Sequence, residues 1–212
     1  MNTLDIRKQG SQHGAIGHIW LNRPKLRNAF NDATIREITE AFQSMGSDPD
    51  IRVIVMGAHG KAFSAGGDLN WMRAMADYSW AENHADATGL ANMLWAIANC
   101  PVPVIARVQG DCYGGGVGLV AACDIAVAVD TAHFSLSEVK LGLIPATISP
   151  YVIRAMGERA ARRYFVTAER FGAAKAQDIG LLHEAVPADQ LDDTVDALVK
   201  AILSNGPAAV RA

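Results

Sequence analysis

Two glycine-rich stretches constrain the fold of this chain more than any other feature. The first is Phe63–Leu69 (FSAGGDL) and the second is Gly110–Gly116 (GDCYGGG). Each follows a short apolar run that predicts a strand, at Arg52–Gly57 and at Pro103–Val108. Glycine lets a backbone turn tightly and lets a ligand approach the backbone N–H groups. Two such turns after neighbouring strands could aim two N–H donors at one oxygen, which is the geometry of an oxyanion hole.

Elsewhere the hydrophobic pattern alternates between strand-like and helix-like segments. The predicted strands are Leu4–Gln9, Ala15–Leu21, Arg52–Met56, Val104–Val108, Ile125–Val129 and Gly180–Val186. The predicted helices run from Asn31 or Asp32 to Met45, over Met72–Ala98 and Gly116–Cys123, through most of the chain after Ile148, and over Asp189–Leu203. This alternation favours an α/β fold with much parallel pairing, in which ligand sites gather where strands end and helices begin.

Composition excludes several classes of function. With 212 residues, 50% of them hydrophobic, the chain can bury one sizeable core. The net charge of -3 gives no compositional support for nucleic-acid binding. The apolar stretch Val117–Val129 contains Asp124 and is too short to span a membrane. Cys100, Cys112 and Cys123 lack CxxC spacing, and the histidines lack HExxH spacing, so we expect no metal site. The start of the sequence has no signal-peptide pattern, which favours a cytoplasmic location.

Taken alone, each glycine stretch is typical of a tight turn or of close packing between helix and sheet. The run Gly114–Gly118 does not have the GxGxxG spacing of a dinucleotide-binding turn. The Gly-Lys-Ser/Thr of a phosphate-binding P-loop is also absent from the sequence. The two stretches therefore need the motifs around them before they indicate a function.

Those motifs occur in a recognisable order and spacing. They are Leu21–Pro24 (LNRP), Asn28–Phe30 (NAF), Lys61–Leu69 (KAFSAGGDL), Gly114–Gly116, Cys123–Ile125 (CDI) and Leu141–Pro145 (LGLIP). With them the chain resembles the crotonase superfamily, the enoyl-CoA hydratase/isomerase family, over essentially its whole length. Phe134–Val139 and Ile148–Val152 are similar to short bacterial hydratases of branched-chain degradation, such as methylglutaconyl-CoA hydratase.

The resemblance implies an architecture as well as a substrate class. We expect a crotonase-type spiral of ββα units over residues 1–190, with residues 191–212 as the start of a helical C-terminal segment. Family members usually continue with more helix that covers the acyl pocket, so we expect part of that lid to be missing here. A homotrimer, or two trimers paired into a hexamer, is the expected assembly. The expected substrate is an acyl-CoA thioester, and no separate cofactor is expected because coenzyme A is part of the substrate.

The resemblance also places the substrate on particular residues. The backbone N–H groups of Gly67 and Gly115 would bind the thioester oxygen, which gains negative charge as the α-carbon becomes enolate-like. The channel for coenzyme A and the thioester would be lined by Ala65, Asp68 and Leu69. The nucleotide end would lie near the basic residues Arg23, Lys25 and Arg27, for which a solvated loop is an equally good interpretation.

Glu138 corresponds to one of the two glutamates of the family. In an apolar pocket near Leu141 and Leu143, burial would raise its pKa and suit it to passing protons; the alternative is a surface glutamate on a loop. The second family glutamate is replaced by Gly118. We therefore expect a 2-enoyl-CoA hydratase that uses one glutamate, with a 3,2-enoyl-CoA isomerase as the first alternative. A catalytically silent acyl-CoA-binding scaffold is the second alternative.

Aromatic and sulfur-containing side chains after the first glycine turn have two interpretations. They would either form the floor of the acyl pocket or pack within ordinary helices, and they are Trp71, Trp80, Trp95, Met72, Met75 and Met93.

Overall fold

The computed structural model describes residues 3–211 and has a mixed α/β fold, as the sequence predicts. The strands are β1 (Leu4–Ser11), β2 (Gly14–Leu21), β3 (Ile51–Ala58), β4 (Ala62–Ser64), β5 (Val104–Val108), β6 (Asp111–Tyr113), β7 (Ile125–Val129), β8 (His133–Ser135), β9 (Phe171–Gly172) and β10 (Glu184–Val186). The α-helices are α1 (Asp32–Ser47), α2 (Leu69–Ala74), α3 (Trp80–Ala98), α4 (Gly115–Ala122), α5 (Ser149–Met156), α6 (Glu158–Thr167), α7 (Ala173–Asp178), α8 (Leu191–Ser204) and α9 (Pro207–Val210). Single 3₁₀ turns cover Pro24–Leu26, Met75–Asp77, Glu138–Leu141 and Ala188–Gln190.

The strands form two sheets. The larger sheet has the order β1-β2-β3-β5-β7-β10, in which β1 and β2 form an antiparallel hairpin and every other pair is parallel. The smaller sheet has the order β4-β6-β8-β9, with an antiparallel pair at β8 and β9. The central strands of the larger sheet are almost continuously buried, which explains why they read as apolar runs rather than as alternating patterns.

Three successive ββα units connect the sheets. In the pairs β3 and β4, β5 and β6, and β7 and β8, the first strand joins the larger sheet and the second joins the smaller one. A helical segment then returns the chain to the start of the next unit. The units advance in the same direction through both sheets, so the chain forms the spiral of ββα units that the family resemblance implies.

Two helices enclose the larger sheet. Helix α1 begins where predicted, because the Asn31 side chain accepts a hydrogen bond from the Thr34 N–H, and it packs against α3. Helix α8 buries Leu191, Val195 and Val199 against β3, β5 and β7. The expected division at residue 191 therefore coincides with the start of a helix that belongs to the same core. Three residues within the predicted limits, Met1, Asn2 and Ala212, lie outside the described residues.

The segment after the first glycine turn differs from the expected single helix over Met72–Ala98. It contains the short helix α2, a 3₁₀ turn, and then α3. The Ser79 and Glu82 side chains form a capping box that starts α3 anew at Trp80. No helix within residues 3–211 is long and apolar enough to cross a membrane.

Candidate active site

The first glycine turn leaves the Gly67 N–H available for a ligand. It follows β4, and Gly66 takes φ +82°, a left-handed conformation that favours glycine. The Gly66 carbonyl accepts a hydrogen bond from the Phe30 N–H at 2.9 Å, and the Asp68 N–H donates to the Phe30 carbonyl at 2.8 Å. These bonds fix the backbone on both sides of Gly67. Among the described residues, no group accepts a hydrogen bond from the Gly67 N–H itself.

The second glycine turn ends in the N-terminus of α4. Gly114 has φ +51° and ψ -124°, and its N–H donates to the Ser135 carbonyl at 2.8 Å. Gly115 is the first residue of α4, so its N–H has no partner within the helix. Nor does any other described group accept a hydrogen bond from it. The helix dipole places a partial positive charge at this end.

The two turns touch each other. A Cβ atom added to Gly66 would lie 2.7 Å from the Tyr113 carbonyl oxygen and 3.2 Å from the Gly115 nitrogen. The described structure therefore brings Gly67 and Gly115 to one place, each with an unused N–H group. This is the juxtaposition that an oxyanion hole requires.

Glu138 lies beside the second turn. It starts the 3₁₀ turn Glu138–Leu141 after β8, and a Cβ atom on Gly114 would lie 3.2 Å from the Glu138 Oε1. The Oε2 atom is buried and has no hydrogen-bond partner among the described residues. Burial raises the pKa of Glu138, and a hydrogen bond with its own backbone acts weakly in the opposite direction. The Glu138 carboxylate therefore has one buried oxygen, Oε2, that no described group engages.

Both glycine turns and Glu138 open into one cavity of about 600 Å³. Its wall is mainly apolar, which suits a hydrocarbon chain. The lining residues are Leu26, Arg27, Ala29, Phe30, Ala65, Gly67, Asp68, Leu69, Asn70, Trp71, Met72, Arg73, Met75, Leu90, Gly114, Gly115, Ser137, Glu138, Leu141, Leu143, Ile144, Pro145, Thr147 and Ile148.

The residues expected to line the channel for coenzyme A and the thioester are found in this wall. Ala65, Asp68 and Leu69 all line the cavity. The Asp68 carboxylate is already engaged, because it accepts a hydrogen bond from the Asn70 N–H at 2.9 Å and so caps α2. It also forms an ion pair with Arg23 at 3.1 Å. Asp68 therefore contributes to the cavity wall, but its carboxylate is already bound by other groups of the protein.

The three basic residues expected near the nucleotide are placed differently from one another. Arg27 lines the cavity and is exposed. Lys25 is exposed but lies outside the lining. Arg23 departs from the expectation, because its guanidinium is mostly buried, pairs with Asp68 and donates to the Ala29 carbonyl. The Arg23 guanidinium is therefore bound by groups of the protein itself.

Gly118 occupies the position of the second family glutamate. It lies behind the cavity wall and does not line the cavity. It is buried in α4, and a Cβ atom there would lie 2.8 Å from the Ile148 Cβ and would overlap the Ile148 Cγ2. Ile148 itself lines the cavity. A glutamate at position 118 would therefore have to displace Ile148 before it could reach the substrate.

The aromatic and methionine side chains divide between the two interpretations. Trp71, Met72 and Met75 line the cavity. Trp80 and Trp95 are 80% and 63% exposed and lie outside the lining, and Met93 belongs to the buried core. Several other lining residues had no predicted role, among them Arg73, Leu90 and Ile148. Of these three, only Ile148 lies in a motif of the sequence, Ile148–Val152, which carries part of the family resemblance.

Comparison with known proteins decides the family. A sequence model described as enoyl-CoA hydratase/isomerase matches residues 11–212. The chain belongs to this family.

Similar structures and sequences agree with the family assignment. A crystal structure from Legionella pneumophila, described as an enoyl-CoA hydratase/isomerase (crotonase), is 44% identical, has a TM-score of 0.92, and covers 99% of this chain and 80% of its own. An enoyl-CoA hydratase structure from Shewanella pealeana is 42% identical, with a TM-score of 0.94 and coverage of 99% and 77%. An enoyl-CoA hydratase from Alternaria alternata is 38% identical over 90% of this chain and 63% of the relative. The crotonase fold and a crotonase-family enzyme are therefore confirmed.

Proposed function

We propose that this family member adds water to the double bond of a 2-enoyl-CoA thioester and that Glu138 is the sole proton carrier. The proposal rests on Glu138, which lines the same cavity as Gly67 and Gly115 and whose buried Oε2 has no partner, together with the unused N–H groups of those two glycines. The hydratase names of the Shewanella and Alternaria relatives support the reaction type.

The proposed reaction balances with one carboxylate. Glu138 accepts a proton from a water molecule while the water oxygen bonds to C3. The electron pair of the double bond then moves toward the thioester carbonyl, and its oxygen becomes an enolate. The Gly67 and Gly115 N–H groups stabilise that oxygen, and a donor of this kind is worth about 10²–10³ in rate. Glu138 finally returns the proton to C2, so that water is added and the carboxylate is regenerated.

An isomerase is the second candidate, and the placement of Gly118 favours it. Asp68 and Glu138 are the carboxylates of the described cavity lining, and Asp68 is held by Arg23. Moving a double bond from C3 to C2 requires one base that removes a proton from C2 and delivers it to C4. Glu138 alone meets that requirement, whereas hydration usually employs a second carboxylate for the water.

Side-by-side assays distinguish these reactions. Purified protein is incubated with crotonyl-CoA, 3-hexenoyl-CoA and methylglutaconyl-CoA, and the products are separated. Turnover of crotonyl-CoA to its 3-hydroxy product supports the hydratase. Conversion of 3-hexenoyl-CoA alone supports the isomerase, and turnover of methylglutaconyl-CoA would extend the proposal to a branched acyl chain with a distal carboxylate. Binding without turnover of any of them would indicate a silent scaffold.

The variant Glu138→Gln tests the proton carrier in either enzyme. Glutamine retains the size of the side chain but carries no proton at neutral pH, so kcat should fall by about 10²–10⁴. The affinity for a saturated acyl-CoA should change little, because backbone N–H groups hold the thioester. Glu40→Gln, on the exposed face of α1 and outside this cavity, is the matched control. Wild-type turnover in Glu138→Gln would refute the mechanism, and loss of binding would make Glu138 a structural residue.

A further inference from the structure

Phe30 connects the two halves of the proposed oxyanion hole. It ends the motif Asn28–Phe30, to which the proposed reaction gives no part. Its backbone forms an isolated parallel bridge with Gly67, through hydrogen bonds to the residues on either side of that glycine. A peptide unit is planar and trans, so the Gly67 N–H points away from the Gly66 carbonyl of the same unit. Because the Phe30 N–H binds that carbonyl at 2.9 Å, it also fixes the direction of the first donor.

The ring of Phe30 packs against the residue that carries the second donor. A Cβ atom added to Gly115 would lie 2.5 Å from the Phe30 Cζ, 3.3 Å from its Cε1 and 3.5 Å from its Cε2. The end of the ring therefore fills the space beside the Gly115 Cα. Phe30 is 1% exposed, so the core holds it and it presents almost no surface to a ligand. One residue thus orients the Gly67 N–H and limits how closely the N-terminus of α4 approaches it.

The chain that leads into Phe30 is itself anchored by Asn28. This residue is 2% exposed and has φ +54°. Its side-chain amide donates to the His59 and Ala62 carbonyls at 2.8 Å each, and its Oδ1 accepts a hydrogen bond from the Arg23 N–H at 2.9 Å. The position of Phe30 is therefore fixed by contacts within the protein and does not depend on a bound ligand.

We infer that Phe30 is a positioning residue that sets the direction and the separation of the two oxyanion-hole donors. The inference rests on the proposed binding of a thioester oxygen to Gly67 and Gly115. Phe30 acts through the backbone of these glycines and through the packing of α4, without touching the reacting atoms. A misplacement of about 1 Å in an active site can cost about 10²-fold in rate, so the fit of this ring should affect kcat.

The carbonyl stretch of a bound, unreactive thioester measures the two donors directly. Butyryl-CoA labelled with carbon-13 at the thioester carbon is bound to each variant, and difference infrared spectra compare its carbonyl frequency with that of the free thioester. In wild type, two N–H donors should lower the frequency. In Phe30→Leu, which removes the end of the ring beside Gly115, most of this shift should be lost. The kcat for the enzyme's substrate should fall by about 10–10²-fold while KM changes little.

Two further variants distinguish positioning from a merely structural role. Phe42→Leu is the matched control, because Phe42 is also 1% exposed but lies in α1 outside the cavity lining. It should lower the Tm and retain both the carbonyl shift and kcat. Phe30→Met keeps a long, adaptable side chain and should have intermediate values of both. It also supplies the test if melting curves show that Phe30→Leu is unfolded.

The outcomes separate this inference from the proposed function. A carbonyl shift that wild type shows and Phe30→Leu loses supports the role of Phe30, and if wild type turns over neither crotonyl-CoA nor 3-hexenoyl-CoA, only the proposed reaction is refuted. A shift that survives unchanged in both Phe30 variants overturns the role of Phe30 alone. Turnover by wild type without any carbonyl shift also overturns it, because the two donors then do not bind the thioester oxygen. Failure to bind butyryl-CoA refutes both.

Discussion

Replacing Gly118 with alanine should destabilise the protein, although alanine is the better helix former. The added Cβ atom would lie 2.8 Å from the Ile148 Cβ and closer still to its Cγ2, whereas carbon atoms in good contact lie about 3.5–4.0 Å apart. Overpacking of this kind costs about 1–3 kcal/mol, and the gain in helix propensity returns about 1 kcal/mol. We therefore expect a net loss of up to about 2 kcal/mol, or up to about 8 °C in Tm.

A double-mutant cycle with Ile148→Ala assigns that loss to a particular contact. The single variant Ile148→Ala creates a cavity and should cost about 2–5 kcal/mol, but in the Gly118→Ala background it also removes the closer of the two clashes. The two changes should therefore couple by about 1 kcal/mol or more in urea unfolding. Gly89→Ala in α3 is the matched control, because its Cβ would meet only Ile35, at 3.9 Å, and should be neutral or stabilising. Additivity of the two changes within about 0.5 kcal/mol would refute the reasoning.

Three further predictions concern the ligand, the carboxylate and the assembly. Crotonyl-CoA should raise the Tm while free crotonate does not, because the proposed site holds a thioester through coenzyme A; equal shifts would contradict the acyl-CoA assignment. Since burial raises the pKa of Glu138, the protonated side chain contributes to the free energy of unfolding at low pH. This contribution is lost as the pH rises through the folded-state pKa. Glu138→Gln should therefore melt above wild type at about pH 8, with the gap closing toward about pH 4, and a constant gap would argue against burial as the cause. We also expect a trimer or hexamer in light scattering, because exposed Leu141, Leu143 and Ile144 at the cavity mouth favour association, and a stable monomer would contradict this.

Most strands of the larger sheet were predictable because five to eight residues are enough to show a hydrophobic pattern; β10, with only Glu184–Val186, was predicted too long, from Gly180. Val104–Val108 and Ile125–Val129 have the predicted bounds, and the start of α1 follows from its capping residue Asn31. The smaller sheet was not predicted. Its strands have two or three residues, such as Ala62–Ser64, and segments so short carry no measurable period. Their pairing depends on the ββα repeat as a whole, which only the family resemblance indicated.

The proposed catalytic centre was more predictable than the walls around it. Gly67, Gly115 and Glu138 lie in motifs whose spacing identifies them, and the structure brings them to one cavity. Leu90 and Ile148 come from segments far apart in sequence, and an apolar residue looks the same in the sequence whether it faces a ligand or the core. The engagement of Arg23 by Asp68 was equally hidden, because a contact over 45 residues has no local signature.

The position of Glu138 beside α4 determines which of its neighbours accelerate the proposed reaction. Its Oε1 lies 3.2 Å from the position of a Cβ atom on Gly114, at the same helix N-terminus that presents the Gly115 N–H. Negative charge starts on Glu138 and moves to the thioester oxygen, so the helix dipole stabilises both the starting carboxylate and the enolate. An interaction that is equal in the ground state and the transition state does not raise kcat. The Gly67 and Gly115 N–H groups differ, because they address only the oxygen on which charge develops. The acceleration should therefore depend on those two donors more than on the dipole of α4.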